Sequence, residues 1–538
     1  MLILRMINLA YKGCDFLADT TVATQEENVG TEVEQQVEKA SAQNRRYLRL
    51  REMIAFLLTA FGQKNLNEFV NGNRQFFMIS FLGISGSAYG TIMFLETLYD
   101  AMDDSISGLI IDRTRTRWGK LRPYFIISTP IWAVAILMLF TTPSFLTTQT
   151  AKVVWAVVAI FAHNLGMSYF GIWQIMPYDI TPNVNERNNL LASQKFMEIF
   201  GAWLPALLPI LIDFLPSKTN NVIGMQDVYS GYALIMVIIS AATAIYGFFV
   251  MRERVPLASR EQMKEVGIIE SFKIALKNRP MLILQLNYFF NGLKGIGASN
   301  EKFFWMHNAG KLTYATISSL FTGIPRFIIT PLTPKLIRKF GARTVGIAAG
   351  IFGGAMYGLM YILGYQPLAG FNSELTWETP IGVVVNLVYI TIMLTLAGLP
   401  NGVIDVVGTV LQGDVYDYGE WKYGVRNEAL IATVSGYFQK LANSINNALS
   451  GFVISWIGYV AHKDVFGNIV RETDNKVLQG FWFIFCVTPA IARFLYGISL
   501  IFFNVHGKFK AQMLADLEVR RRAQVRQMQA DNKPADSE

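Results

Sequence analysis

Three aspartates, Asp100, Asp103 and Asp104, fall within five positions at the head of "DAMDDSISGLIIDRTRTRWGKLRP" (100–123), inside an otherwise apolar stretch. At about 100° per residue, Glu96, Asp103, Asp104 and Ser107 all lie within about 60° of Asp100, so one helix face carries the set. An ionised group at mid-membrane costs about 2.5–3.5 kcal/mol even on insertion scales, so that face must look into a bundle interior or a wet cavity, with partners. Acids clustered within one turn repel one another unless a cation or a proton neutralises them. Since hard cations prefer oxygen ligands, the chemistry expected at Asp100, Asp103 and Asp104 is reversible uptake of Na+ or of a proton. The competing reading is a fixed ion pair that locks two helices, for example Asp100 with Lys440 or Arg74.

Other stretches repeat the pattern with cations mixed in. Lys64, Asn67, Glu68, Asn71, Arg74 and Gln75 share one side of "FGQKNLNEFVNGNRQF" (61–76), and Asn287, Asn291, Lys294 and Glu301 mark a second lining. Lys440, Asn443, Ser444 and Asn447 mark a third. Lys440 sits well inside its apolar stretch, where snorkelling to an interface is hard. Lys64, Arg74 and Lys294 would suit an anionic solute through charge-assisted hydrogen bonds, although Glu68 and Glu301 are near enough to consume them. Trp173 fits either a sugar platform or ordinary packing.

The elements that must position these side chains follow from composition. The chain has 538 residues, 52% hydrophobic and only 16% charged, which points to an all-α polytopic membrane protein. Stretches long enough to cross about 30 Å of hydrocarbon lie near 52–82, 88–111, 124–142, 152–178, 191–214 and 229–251. Six more lie near 281–306, 313–334, 343–365, 380–411, 429–460 and 479–505. Twelve crossings put both termini on one side. Arg113, Arg115, Arg117, Lys120 and Arg122, and the basic central segment, place that side in the cytoplasm, while the loops 141–150 and 365–380 are nearly free of positive charge. The organisation expected is a polar N-terminal extension (1–50), a six-helix half (51–252), a central cytoplasmic loop (253–280), a second six-helix half (281–505) and a basic tail (506–538). That tail reads either as an amphipathic helix on anionic lipid or as a solvated segment. A weak echo between "GLIIDRTRTRWGKLRP" and "RFIITPLTPKLIRKFGAR" supports repeated halves around a midplane site.

Several classes drop out. Cys14 and Cys486 stand far apart and four histidines are scattered, which suggests neither a disulfide framework nor a metal cluster. Motifs for metalloprotease, serine hydrolase or nucleotide chemistry are missing, so no enzyme is expected. The net charge of +8 follows topology and calls for no nucleic acid.

"YDAMDDSISGLIIDRTRTRWGKLRPY" resembles the second-span signature of the glycoside/pentoside/hexuronide cation symporters, the melibiose permease family of the major facilitator superfamily. "LPNGVIDVVGTVLQGDVYDYGEWKYGVRNEA" (399–429), "VNERNNLLASQKF" and "LKNRP" are similar to further stretches of that family, so the likeness covers roughly 50–505. It implies the major facilitator fold, in the cytoplasmic membrane, as a monomer. It implies that Asp100 and Asp104 bind the coupling cation, Na+ being one option there, with Asp103 an added acid. Lys440 matches an eleventh-span lysine of the family and Lys195 stands where melibiose permease has arginine. Both would touch or gate the acidic site. The departures are Lys64 and Ile175, which stand where melibiose permease has its two sugar aspartates, and Ile172, which replaces a threonine that helps hold Na+.

The function this implies is cation-coupled symport of a sugar, glycoside or hexuronide by alternating access, with no cofactor beyond the coupling ion, Na+ or H+. Lys64, Glu68, Asn71, Arg74, Trp173, Lys195, Asn291, Lys294, Lys440 and Asn443 are the expected substrate contacts. Asp112, Arg113, Arg117, Lys120 and Arg122 are expected to form a cytoplasmic latch with Asp414, Asp417, Glu420 and Arg426, open when the protein faces inward. A cation-coupled lysolipid transporter and a non-transporting sugar sensor on the same fold are the alternatives, and exchange rather than symport stays open.

Overall fold

The computed structural model describes residues 46–254, 277–424 and 428–531, and omits the side chains of Asp104 and Asp112 among a few others. Most of the N-terminal extension, most of the central loop, and Arg426 therefore lie outside the described residues. The first half runs as α1 (Leu50–Phe77), α2 (Gly86–Arg113), α3 (Arg122–Leu139), α4 (Gln149–Phe170), α5 (Val184–Lys218) and α6 (Met225–Val250). In the second, α7 (Arg279–Gly292, Lys294–Phe303), α8 (Thr313–Thr322, Ile324–Phe340) and α10 (Pro380–Gly398, Pro400–Tyr423) are each interrupted by one residue. The continuous helices are α9 (Ala342–Leu363), α11 (Glu428–Trp456), α12 (Asn475–Ile501) and α13 (Gly507–Asp531). Local chemistry sets many of these starts: Ser85, Thr148, Asn183 and Thr379 each accept a backbone N–H of the first turn. The first helix of each half ends in a π-helical turn, Met78–Leu82 after α1 and Phe304–Asn308 after α7.

Among the described residues, seven helical stretches are long and apolar enough to cross a membrane, and none of these lies in α1, α2, α7, α8 or α11. α1, α2, α7 and α11 are the helices whose sequences carry the polar stripes, because a helix lining a wet interior trades apolar residues for polar ones on one face. The outer faces keep large apolar side chains exposed, such as Ile238, Phe249, Ile362 and Val384, as a lipid-facing surface requires.

Small residues let the backbones approach closely. A Cβ on Gly350 of α9 would lie 2.8 Å from the Gly497 nitrogen of α12, and Ser240 of α6 donates to the Gly62 carbonyl of α1 at 2.9 Å. The two halves meet along α2 and α11, where a Cβ on Gly90 would stand 2.5 Å from the Ala448 carbonyl oxygen and one on Gly451 equally close to that of Gly86.

Contacts between the halves gather at the end that carries the start of α2 and the close of α11. There Ser87 N–H donates to Ser455 Oγ at 2.6 Å, Gln75 Nε2 donates to Asn300 Oδ1 at 2.7 Å, and Lys302 donates to Asn73. Thr313 of α8 donates to Asp213 of α5 at 2.6 Å, and Lys463 from the loop after α11 caps the Phe81 carbonyl at 2.8 Å.

At the opposite end, several contacts stay within one half. Arg254 pairs with Glu52 at 2.6 Å, and Glu253 accepts the backbone N–H of Lys120, Leu121 and Arg122 at 2.7, 2.8 and 3.0 Å. The C-terminal run is a helix, α13, and one face of it packs on protein. Met513 and Leu517 are buried in the core around α10 and α12, Lys510 pairs with Asp414 at 2.5 Å, and Arg521 reaches Asp417 and Glu420 at 3.1 and 2.5 Å. Three acids on the last turns of α10 supplied the opposite charge that decides where this basic helix docks.

Candidate functional site

Helix α2 brings Glu96, Asp100 and Asp103 to the place where α4 and α11 approach it. Lys440 Nζ donates to Asp100 Oδ2 at 2.8 Å, joining the two halves near the middle of both helices. From α4, the Asn164 amide donates to Asp100 Oδ1 at 3.2 Å and to Glu96 Oε1 at 2.8 Å. Arg74 of α1 and Tyr89 stand beside Glu96, deeper in the bundle. The result is a continuous line of polar groups from Arg74 through Glu96, Asn164 and Asp100 to Lys440.

The pair at its end is not sealed: 27% of the Asp100 side chain and 30% of the Lys440 side chain reach solvent. The carboxylate is therefore held by Lys440 and Asn164 and still partly accessible. Asp103 is buried, lies beside Tyr99 and Tyr169, and has an Oδ2 without a hydrogen-bond partner. A carboxylate oxygen in that position can be satisfied by an added proton, a cation or a water molecule. The remaining acid of the expected set, Asp104, and with it the Na+ placement at Asp100 and Asp104, lie partly outside the described side chains. Ile172 is buried, and its hydrocarbon side chain offers no oxygen to a cation.

The other expected residues divide. Lys64 is paired with Glu68 at 2.5 Å along its own helix, and both stay partly exposed. Asn71 and Asn443 are exposed on α1 and α11. Asn291 accepts from Arg493 Nη1 at 3.0 Å and Lys294 donates to Asn401 Oδ1 at 3.3 Å, so both belong to a separate cluster in the second half.

Two expected contacts are corrected. Trp173 is 1% exposed, because the 3₁₀ turn Gly171–Gln174 folds it against Phe56 of α1, with ring centroids 5.6 Å apart. It is a core residue. Trp173→Ala is expected to lower stability by about 3 kcal/mol, read as thermal unfolding in detergent, whereas Trp173→Phe is expected to leave solute binding unchanged. Lys195 is exposed and pairs with Glu198 at 3.0 Å, an acid three residues on, so among the described residues its ion pair lies within its own helix.

Of the latch residues, Arg122 holds the Phe248 carbonyl at 2.5 Å and Arg117 lies over its neighbour Trp118, while Arg113 is exposed at the end of α2. Asp414, Asp417 and Glu420 are engaged by α13, as described above. Sequence reasoning missed Asn164, Asn401 and Arg493: single polar residues in apolar helices make no stripe, and only the packing shows what they bridge.

The sequence profile described as MFS/sugar transport protein matches residues 55–507. An isoprimeverose transporter of Lactiplantibacillus pentosus is 28% identical over 87% of this chain and 91% of its own length. A glucuronide carrier protein homolog of Escherichia coli (strain K12) is 21% identical over 85% of this chain and 94% of its own. A point mutant of the nucleoside transporter NupG superposes with a TM-score of 0.56 at 15% identity, covering 83% of this chain and 99% of that one. A bacterial homolog of the lysosomal transporter Spinster, in an inward-facing unoccupied conformation, gives 0.55 at 12% identity over 86% of this chain and 97% of its own. At such identity these two structures speak to the fold alone, and that fold is the all-α one expected.

Proposed function

This chain belongs to the MFS/sugar transport protein family, a family of transporters rather than enzymes, and from that premise we propose that it is a cation-coupled sugar symporter. In this reading α1 to α12 each cross the cytoplasmic membrane, both termini are cytoplasmic, and the protein works as a monomer of two six-helix halves. Similar π-helical ends on α1 and α7 support the repeat. Resemblance to relatives named as transporters of isoprimeverose and as a glucuronide carrier supports a sugar or glycoside as cargo.

The observation that carries the proposal is the half-open Asp100–Lys440 pair. A coupling ion, Na+ or H+, competes with the Lys440 ammonium for the same carboxylate. When the ion wins, the tie between α2 and α11 is released, and the halves rock about the central site. Binding of ion and sugar are then linked, each favouring the same shape of the protein. With the basic loops in the cytoplasm, the closed end is the outer one, and the conformation is inward-facing. In this reading the latch acids Asp414, Asp417 and Glu420, which pair with Lys510 and Arg521 of α13, exchange these partners for the first half's basic loop in the outward-open state.

Purified protein in proteoliposomes, given labelled methyl glycosides under an imposed Na+ or pH gradient, tests this. Accumulation above the outside concentration under one of the two gradients is expected. Equilibration alone under both would overturn the coupling.

A further inference from the structure

Residues 457–474 join α11 to α12 at the closed end and fold into a small hairpin on the way. Lys463 and Ile469 face each other in an antiparallel bridge, Val470 N–H donates to the His462 carbonyl at 2.9 Å, and Asp464 N–H donates to the Asn468 carbonyl at 2.9 Å. The Asp464 carboxylate ties the turn by accepting the backbone N–H of Phe466 and of Asn468 at 2.9 and 2.8 Å. Gly467 supplies the left-handed step, at φ +77°. A two-stranded hairpin is marginal by itself, so its neighbours decide where it sits.

Its base belongs to the second half. His307, in the π-helical turn after α7, holds both arms: Nε2 is hydrogen-bonded to the Tyr459 hydroxyl at 3.0 Å, and Nδ1 accepts the Glu472 N–H at 3.1 Å. Arg471 adds two bonds to the same turn, donating to the carbonyls of His307 and Asn308 at 2.8 and 2.7 Å. Its tip lies on the first half. Lys463 Nζ, which caps the Phe81 carbonyl, also reaches Gln226 Oε1 at 3.4 Å. Asn468 Oδ1 accepts the Met225 N–H at the start of α6 at 2.8 Å, and the Asn468 amide donates to Asn221 Oδ1 at 3.3 Å. The fit is close, since a side chain on Gly224 would collide with the Phe466 carbonyl. Val465, by contrast, is 93% exposed.

We propose that the hairpin 462–470 is a lid of the outer end, fastened through His307 to its own half and closing by binding the first half between α1 and α6. The proposal rests on the transport reading above. When the halves part at this end, the tip contacts of Lys463 and Asn468 break while those of the base remain, so the hairpin lifts with the second half. Polar contacts suit this role: each is worth little net, because water replaces it on opening, so the lid shuts firmly and still releases in every cycle.

Labelling and cross-linking test the lid separately. Ser80 is fully buried, one residue before the carbonyl that Lys463 caps. In a background of Cys14→Ser and Cys486→Ala, Ser80→Cys is treated with a membrane-impermeant maleimide from outside intact cells. Lys463→Met, on the lid, and Gly224→Ala, beneath it, are each expected to speed labelling about tenfold, the scale of one or two lost hydrogen bonds. Val465→Ala is expected to leave it unchanged. In proteoliposomes the pair Gln226→Cys and Gly467→Cys, whose Cβ atoms would stand 3.9 Å apart, is within reach of a disulfide. Oxidation is expected to abolish uptake of labelled methyl glycosides, and reduction to restore it. Labelling indifferent to both Lys463→Met and Gly224→Ala, or full uptake with the disulfide formed, would overturn the lid and leave the symporter standing. No uptake by the reduced protein or by wild type would overturn the transport reading, and the labelling rates would still decide whether the hairpin opens.

Discussion

Asp100→Asn abolishes gradient-driven accumulation: that is the expected result in proteoliposomes, with the solute only equilibrating across the membrane. The amide keeps the size of the side chain and still accepts from Asn164, but it takes up no proton and binds Na+ weakly. Lys440, which now donates to Asp100 Oδ2 at 2.8 Å, then faces a neutral amide at that position. Stimulation of sugar affinity by the ion is therefore expected to vanish, a loss of about 5- to 150-fold if coupling has its usual strength. Unchanged uphill accumulation by Asp100→Asn would show that the coupling ion binds elsewhere.

Gly451→Leu is expected to hold the outer end open. In the present conformation a Cβ at this position would stand 2.5 Å from the Gly86 carbonyl oxygen and 2.6 Å from the Gly90 nitrogen. These are backbone atoms and cannot swing away as a flexible side chain would. Overpacking of this kind costs about 1–3 kcal/mol, and because the clash exists only where α2 and α11 touch, the cost falls on the closed outer end. The population of that state, and transport with it, is expected to fall by roughly one to two orders of magnitude. A cysteine introduced at Asn443, on the exposed face of α11, should then react faster with a membrane-impermeant maleimide added from outside. Unaltered transport and labelling would show that the α2–α11 approach is not part of the cycle.

The acidic face of α2 was legible because its evidence is periodic and anomalous at once: Asp100 and its neighbours repeat at helical spacing where charge is costly. Lys440 was legible for the same reason. Trp173 and Lys195 were misread, because sequence gives the type of a side chain and not the direction of the turn that carries it. The 3₁₀ turn after α4 sends Trp173 into the core, and Glu198 captures Lys195 within its own helix. The fate of the basic C-terminal run was equally hidden, since lipid phosphate and the α10 carboxylates attract the same lysines and arginines.

Hydropathy, charge placement and family signatures determined by themselves that this chain is a helical membrane transporter and that α2 carries its costliest charges. These properties are local, summing residue by residue over a span. Only the tertiary structure decided that Asn164 bridges Glu96 and Asp100, that Lys440 closes on Asp100 across the two halves, and that Lys294 and Arg493 converge on Asn401. Each of those contacts joins residues far apart in sequence, and their meeting depends on which small residues let which helices touch.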